Sequence, residues 1–210
     1  KLKDMKFSII TSTFNRRNKL IKTINSVLNQ KYNNWEYYII DDKSDDDTLE
    51  YLNKIKDRRI KIIALKNNFG QPGAFFNSNV LNKITGDLII FLDSDDLLFD
   101  DAFNRILLNF KNTKNSFDYL AYKFTDDIKN INKKNNSDIN FFSSKDIFED
   151  FFPLNKNKNG FVDHLFIYTQ KYIKNFKDIF IEPKYWYVAR YKIHLKNDFK
   201  VGYSNSEIYY

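Results

Sequence analysis

The chain has 210 residues and carries 34 Lys and Arg against 27 Asp and Glu, a net charge of +7. Its pI is near 9.2, and with 42% hydrophobic and 18% aromatic residues it has the apolar surface for a real core. The 5 Gly and 3 Pro exclude collagen-like and low-complexity classes, and the lack of Cys removes disulfide frameworks, thiolate nucleophiles and thiolate-bound zinc. With His164 and His194 as its two imidazoles, a metal would sit on oxygen, which selects a hard cation on carboxylates. No apolar run approaches the roughly 20 residues that span a bilayer. No hydrophobic segment of a signal peptide follows Lys1-Leu2-Lys3-Asp4-Met5, so none is expected. Met5 reads as a natural start, or the whole as a domain of something longer.

Met5 to Ser12 is a β-branched apolar run ending in hydroxyl residues, the pattern of a buried strand that enters a loop. From Asn18 to Gln30, Leu20, Ile21, Ile24, Val27 and Leu28 recur at helical spacing. Trp35 to Ile40 predicts a second strand, which stops at Asp41-Asp42-Lys43-Ser44-Asp45-Asp46-Asp47, a cluster suited to turns and helix N-caps. Thr48 to Lys56 predicts a helix and Ile60 to Leu65 a third strand. The turn formers Asn67-Asn68-Phe69-Gly70-Gln71-Pro72-Gly73 follow, then a helix from about Ala74 to Ile84. Leu88 to Leu92, wholly apolar, predicts a strand buried on both faces and runs into Asp93-Ser94-Asp95-Asp96. A helix is expected from Phe99 to Phe110. Strands alternating with helices in this way specify an α/β fold with a mostly parallel central sheet flanked by helices. Ligands of such sheets bind outside the carboxyl ends of the strands, where three ends here carry polar or acidic clusters.

Residues 1–110 therefore read as a ligand-binding half and 111–210 as a second half of the same domain. Lys- and Asn-rich residues 126–140 are expected to form a flexible loop. The Tyr and Phe between Phe141 and Tyr191 are expected to be mostly core, with some available to stack on a sugar ring. Val201-Gly202-Tyr203 reads as a last short strand.

Neither a P-loop nor a G-x-G-x-x-G fingerprint is present, so backbone cradling of phosphate is not expected. Metal-mediated phosphate binding remains. Asp93 and Asp95 lie two residues apart on an extended segment and project to one side, where a divalent ion could bridge two phosphates. An EF-hand reading fails: counted from Asp42, Asp47 takes the glycine position and Asn53 the final glutamate, and counted from Asp93, Leu97 takes a ligand position.

Taken together, Phe7-Ser8-Ile9-Ile10-Thr11-Ser12-Thr13-Phe14-Asn15-Arg16, Ile39-Ile40-Asp41-Asp42-Lys43-Ser44-Asp45-Asp46 and Gly86-Asp87-Leu88-Ile89-Ile90-Phe91-Leu92-Asp93-Ser94-Asp95-Asp96 resemble the bacterial family 2 glycosyltransferases. The resemblance covers the first half of the chain well and the remainder loosely. It implies a Rossmann-like GT-A fold with a small acceptor-side region. It also implies that Thr11, Thr13, Phe14 and Asn15, with Arg16 close by, pack on a nucleoside, and that Asp41 or Asp42 bonds the base. Asp93 would lie near the ribose, and Asp95, with Asp93, on Mn2+ or Mg2+. The sequence departs from the family at Phe75, where Arg is usual, so a cationic contact to the diphosphate would have to come from another Lys or Arg. For the base that activates the acceptor, the resemblance offers Glu182, in Glu182-Pro183-Lys184-Tyr185-Trp186-Tyr187-Val188-Ala189-Arg190, and Asp163, beside His164, with a base outside both segments as the third alternative. His194 reads as an ordinary structural residue.

The implied activity is inverting, metal-dependent transfer of a sugar from a nucleoside diphosphate sugar, UDP-linked by expectation, to a glycan or lipid-linked acceptor. The expected setting is the cytoplasm, at the inner face of the membrane with a peripheral contact. The alternatives are a non-catalytic sugar-nucleotide-binding relative, a nucleotidyltransferase, or a nucleic-acid-binding module, which the pI favours. Dispersed basic residues, and acidic clusters at the strand ends, speak against nucleic acid.

Overall fold

The computed structural model describes residues 5–75, 77–113, 117–124, 139–143, 164–174 and 200–209. In chain order these form β1 (Phe7–Thr13), α1 (Arg17–Leu28), β2 (Trp35–Asp41), α2 (Thr48–Asn53), β3 (Ile60–Ala64), α3 (Gly70–Phe75) and α4 (Ser78–Leu81). Then follow β4 (Leu88–Phe91), α5 (Ala102–Asn112), β5 (Tyr119–Phe124), β6 (Ile139–Ser143), β7 (His164–Thr169), α6 (Gln170–Lys174) and β8 (Lys200–Tyr209).

The strands make one sheet in the order β3-β2-β1-β4-β7-β5-β8-β6. β1 to β4 are mutually parallel, in the register Phe7↔Trp35 to Thr13↔Asp41 and Phe7↔Leu88 to Ile10↔Phe91. β7 is antiparallel to both β4 and β5, while β5 and β8 are parallel and β6 is antiparallel to β8. The expected parallel sheet is thus its first half, and the second half is mixed.

All seven residues of β1 and all seven of β2 are buried, because both sheet faces are covered. Alternation along the strands divides the core in two. Phe7, Ile9, Tyr37, Ile39 and Ile90 face Leu20, Ile24 and Val27 of α1 and Phe103 and Ile106 of α5. Phe7 and Phe103 stack at 4.4 Å between centroids. Ile10, Tyr38, Ile40, Ile89 and Phe91 face the other way, onto Ala74, Phe75, Val80, Leu81 and Tyr172. Aromatics of the second half join this layer: Tyr168 stacks on Tyr172 at 5.0 Å and meets Tyr119 at 5.4 Å.

Several boundaries differ from the sequence expectation; the last strand, expected as the short Val201-Gly202-Tyr203, runs over 10 residues as β8. The helix expected from Ala74 to Ile84 is two short pieces, α3 and α4, and the first starts at Gly70. Pro72 causes no break there because the first turn of a helix needs no N–H from it. Ile139 and Asn140, expected in the loop, begin β6, and the rest of 126–138 lies outside the described residues.

The amino-terminal edge of the sheet is locked by Glu36. Its carboxylate accepts from Ser8 Oγ at 2.7 Å, Lys6 Nζ at 2.8 Å, Lys61 Nζ at 2.9 Å and the Thr85 N–H at 2.7 Å. Burial pushes the carboxyl up, but these donors reverse the shift and hold it at about 2, against an ordinary 4.5. Next to it, Gly86 donates its N–H to Ser8 Oγ at 2.9 Å, and a Cβ at Gly86 would lie 2.5 Å from the Ser8 nitrogen.

Gly86→Ala is therefore expected to cost about 1–3 kcal/mol, since backbone rather than a flexible side chain blocks the methyl; a melting temperature equal to wild type would refute the close approach. Glu36 predicts a pH signature. A carboxyl lowered on folding contributes stability in full above pH 4.5 and loses it as the pH falls through about 2. Denaturant melts should find Glu36→Gln less stable by roughly 3 kcal/mol at pH 7, with the gap closing as the pH falls below 4.5.

Candidate functional site

The carboxyl ends of β1, β2 and β4 open on a cleft of about 380 Å³ lined by Ser12, Thr13, Phe14, Arg16, Asp42, Asn68, Gly70, Gln71, Asp93, Ser94 and Asp95. It sits where the chain order reverses across the sheet, β2 and β3 lying on one side of β1 and β4 on the other, which is the position open α/β sheets use for ligands.

Ladder bonds continue past the strands and fix the loops around it. Leu92 N–H donates to the Ile10 carbonyl at 2.9 Å, which delivers Asp93 beside the end of β1. Asp42 N–H donates to the Thr13 carbonyl at 2.8 Å and extends the β1–β2 pairing. Asn15 then ties the first loop to the acidic one: its N–H donates to Ser44 Oγ at 3.0 Å, its Oδ1 accepts from the Asp45 N–H at 3.0 Å, and its amide donates to the Asp45 carboxylate. It adopts φ 52°, a left-handed conformation that Asn tolerates better than most residues.

Of the residues that the resemblance implied, Thr13, Phe14, Arg16, Asp42, Asp93 and Asp95 line the cleft together. Thr11 and Asp41 are buried beneath it, and Asn15 braces its wall. The Thr11 hydroxyl donates to the Leu92 carbonyl and accepts from Tyr37 OH, both at 2.8 Å. Asp41 Oδ2 accepts from the Ser44 N–H at 3.1 Å, while its buried Oδ1 and the buried Thr13 Oγ1 have no hydrogen-bond partner among the described residues. Thr13 and Asp41 are directly opposed in the β1–β2 register. Two buried polar atoms without partners at the ends of adjacent strands cost stability unless something that can hydrogen-bond reaches them.

Asp42 Oδ1 accepts from the Phe69 N–H at 2.8 Å. Burial pushes its carboxyl up, with the Asp41 charge adding to the effect and the Phe69 and Gly70 N–H groups opposing it. Asp93 Oδ1 accepts from Gln71 Nε2 at 2.6 Å, and Asp95 Oδ2 accepts from Arg16 Nη1 at 3.1 Å and Lys19 Nζ at 3.0 Å. Phe14, 44% exposed, offers an aromatic face at the rim. Sequence reasoning missed Ser12, Asn68, Gln71, Ser94 and Lys19. The turn-former run 67–73 signalled a loop near the site but not that Gln71 would reach Asp93.

A divalent ion suits Asp93 and Asp95, which are hard oxygen donors on one turn. Among the described residues no group of three or more Asp, Glu or His converges, so substrate phosphate and water would complete the coordination. Asp163 and Glu182, the candidate bases, and His194 lie outside the described residues. His164 is the first residue of β7, and the antiparallel register Leu88↔Thr169 to Ile90↔Ile167 sets that end of β7 at the same sheet edge as Asp93.

The family model for glycosyl transferase family 2 matches residues 8–176. The chain belongs to this family. It is 37% identical over 115 residues to the UDP-Glc:alpha-D-GlcNAc-diphosphoundecaprenol beta-1,3-glucosyltransferase WfaP of Escherichia coli, covering 55% of this chain and 45% of that one. With the putative teichuronic acid biosynthesis glycosyltransferase TuaG of Bacillus subtilis it shares 32% identity over 117 residues, 55% of this chain and 46% of TuaG. The chain thus spans less than half the length of these curated relatives. Among solved structures, Staphylococcus aureus TarS 1–349 in complex with UDP-GlcNAc superposes with a TM-score of 0.72 at 22% identity, over 98% of this chain and 58% of that TarS fragment. The GT-A glycosyltransferase fold is shared.

In this family 2 cleft, Asn15→Ala should remove the brace between the two loops and place Ala at a left-handed φ, costing about 1–3 kcal/mol. Hydrogen exchange should show lost protection at the Asp45 amide with strand β1 unchanged; retained protection would refute the brace.

Proposed function

We propose that the chain is the donor-binding and transfer region of an inverting, metal-dependent glycosyltransferase that uses a UDP-sugar and glycosylates a hydroxyl of a glycan or lipid-linked acceptor at the inner face of the membrane. One observation carries the reading: the same strand ends hold two open, buried hydrogen-bonding atoms, Thr13 Oγ1 and Asp41 Oδ1, and, across the cleft, the carboxylate pair Asp93 and Asp95. The first pair suits a nucleobase or ribose, and the second suits a cation on a diphosphate. The names of WfaP and of the TarS complex supply UDP-sugars as donor class, and WfaP a lipid-diphosphate acceptor. The contact proposed is peripheral; among the described residues no helix is long and apolar enough to cross a membrane.

In the proposed reaction, Phe14 and the ends of β1 and β2 hold the nucleoside, and Asp93 takes a ribose hydroxyl. Asp95 and Asp93 would hold Mn2+ or Mg2+, which supplies Lewis-acid stabilisation of the leaving diphosphate. A carboxylate, Glu182 or Asp163, takes the acceptor hydroxyl proton as its oxygen bonds to the anomeric carbon. The bond from that carbon to the diphosphate oxygen breaks on the opposite side, so the configuration inverts and the pair of electrons leaves with the UDP.

Calorimetric titration of UDP, GDP and CDP with and without Mn2+ tests the reading. UDP should bind most tightly, with an affinity that Mn2+ raises in wild type and leaves unchanged in Asp95→Ala. Binding of no nucleotide under any condition, or an unaltered Mn2+ effect in the variant, would overturn it. Product assays on Glu182→Gln and Asp163→Asn, each binding UDP normally, would identify the base as the variant that loses transfer.

A further inference from the structure

Among the described residues the cleft lining holds three carboxylates, Asp42, Asp93 and Asp95, and one cation, Arg16. A diphosphate entering it meets mostly negative charge. At position 75, where the sequence departs from the family arginine, the side chain is buried in the core against Phe91 at 5.3 Å between centroids, so that position gives the cleft nothing. A second cation nevertheless reaches the site from outside its lining. Lys19, 63% exposed in the first turn of α1, places Nζ 3.0 Å from the same Asp95 oxygen that Arg16 holds at 3.1 Å.

Two cations on one carboxylate oxygen repel each other, and an exposed ion pair is worth about 0–1 kcal/mol, so neither is firmly bound. A divalent cation on Asp95 would repel both at short range, and both would find an anion beside it in the diphosphate. We propose that Lys19 is a donor-binding residue of this chain. With Arg16 it is kept at the cleft by Asp95 and passes from that carboxylate to the donor diphosphate when Asp95 takes the metal, so it supplies the cationic contact absent at Phe75. The proposal rests on the nucleotide-diphosphate reading above. It makes metal and diphosphate binding mutually reinforcing, because each is favoured by the exchange.

The test is titration of UDP and of uridine into wild type, Lys19→Gln, Lys19→Arg and Asp95→Asn, with and without Mn2+. With Mn2+, Lys19→Gln should weaken UDP about tenfold, the loss of one charge-assisted contact, with uridine binding unchanged and Lys19→Arg close to wild type. Without Mn2+, Asp95→Asn should bind UDP more tightly than wild type, since its two cations are released. Unchanged UDP affinity in Lys19→Gln, or an equal loss for uridine, overturns the role of Lys19. An Asp95→Asn chain that binds metal-free UDP no better than wild type overturns the exchange. Wild type that binds no UDP in either buffer overturns the donor reading itself and this inference with it, a result distinct from the other two.

Discussion

Everything at the cleft depends on β1 being hydrogen-bonded along both edges and covered on both faces. A strand so enclosed can keep a polar side chain only if each group finds a partner inside, or if it lies at an end. β1 is graded accordingly. At its start Ser8 is closed between Glu36 and Gly86. Further along, Thr11 is closed between Leu92 and Tyr37. At its last residue the Thr13 hydroxyl is left open, opposite an equally open Asp41 oxygen. One edge of the sheet is satisfied internally by a buried carboxylate with two lysines, while at the other two buried polar atoms have no partner among the described residues.

That division also accounts for an acidic cleft in a chain of net charge +7. Carboxylates at the ends of parallel strands cannot all be neutralised by the strands themselves, so the partners come from the loops and from α1. Arg17 pairs with Asp47 at 2.6 Å, and Arg16 and Lys19 with Asp95. Three basic residues near one helix start thus tie down two acidic loops. The pairs are exposed and weak, which suits groups that exchange partners better than groups that hold a fold.

The sequence made β1, β2 and β4 legible because a doubly buried strand is written as a short, nearly continuous apolar run, and each such run here stops at hydroxyl or acidic residues. The three motif blocks also placed Thr13, Phe14, Arg16, Asp42, Asp93 and Asp95 on one site, since they sit at strand ends and strand ends share an edge. Thr11 looks the same in sequence as Thr13, two residues on and on the same face, and the Leu92 carbonyl and Tyr37 hydroxyl that close on it make it internal. Gln71 and Lys19 were not legible, because what makes them cleft residues is the approach of segments 22 and 76 residues away in sequence, to Asp93 and Asp95. The start of α3 was lost to a rule that holds for helix interiors: Gly70 at φ 71° and Pro72 read as breakers, yet they enter the helix at positions that tolerate both.

The second half was harder for a different reason. β5, β7 and β8 pack aromatic side chains, such as Tyr119, Tyr168 and Tyr209, into a mixed sheet whose pairings are set by neighbours distant in the chain rather than by local turns. What they achieve is nonetheless simple. β5, the next strand in the chain after β4, keeps the direction of β4 and begins at the edge occupied by Glu36. β7 runs antiparallel to β4 instead and begins at the edge where Asp93 lies. Under the proposed reading this reversal has a chemical consequence: β7 enters the sheet at the edge on which the donor cleft opens, so a parallel, nucleotide-holding half and the later half of the chain meet at that edge.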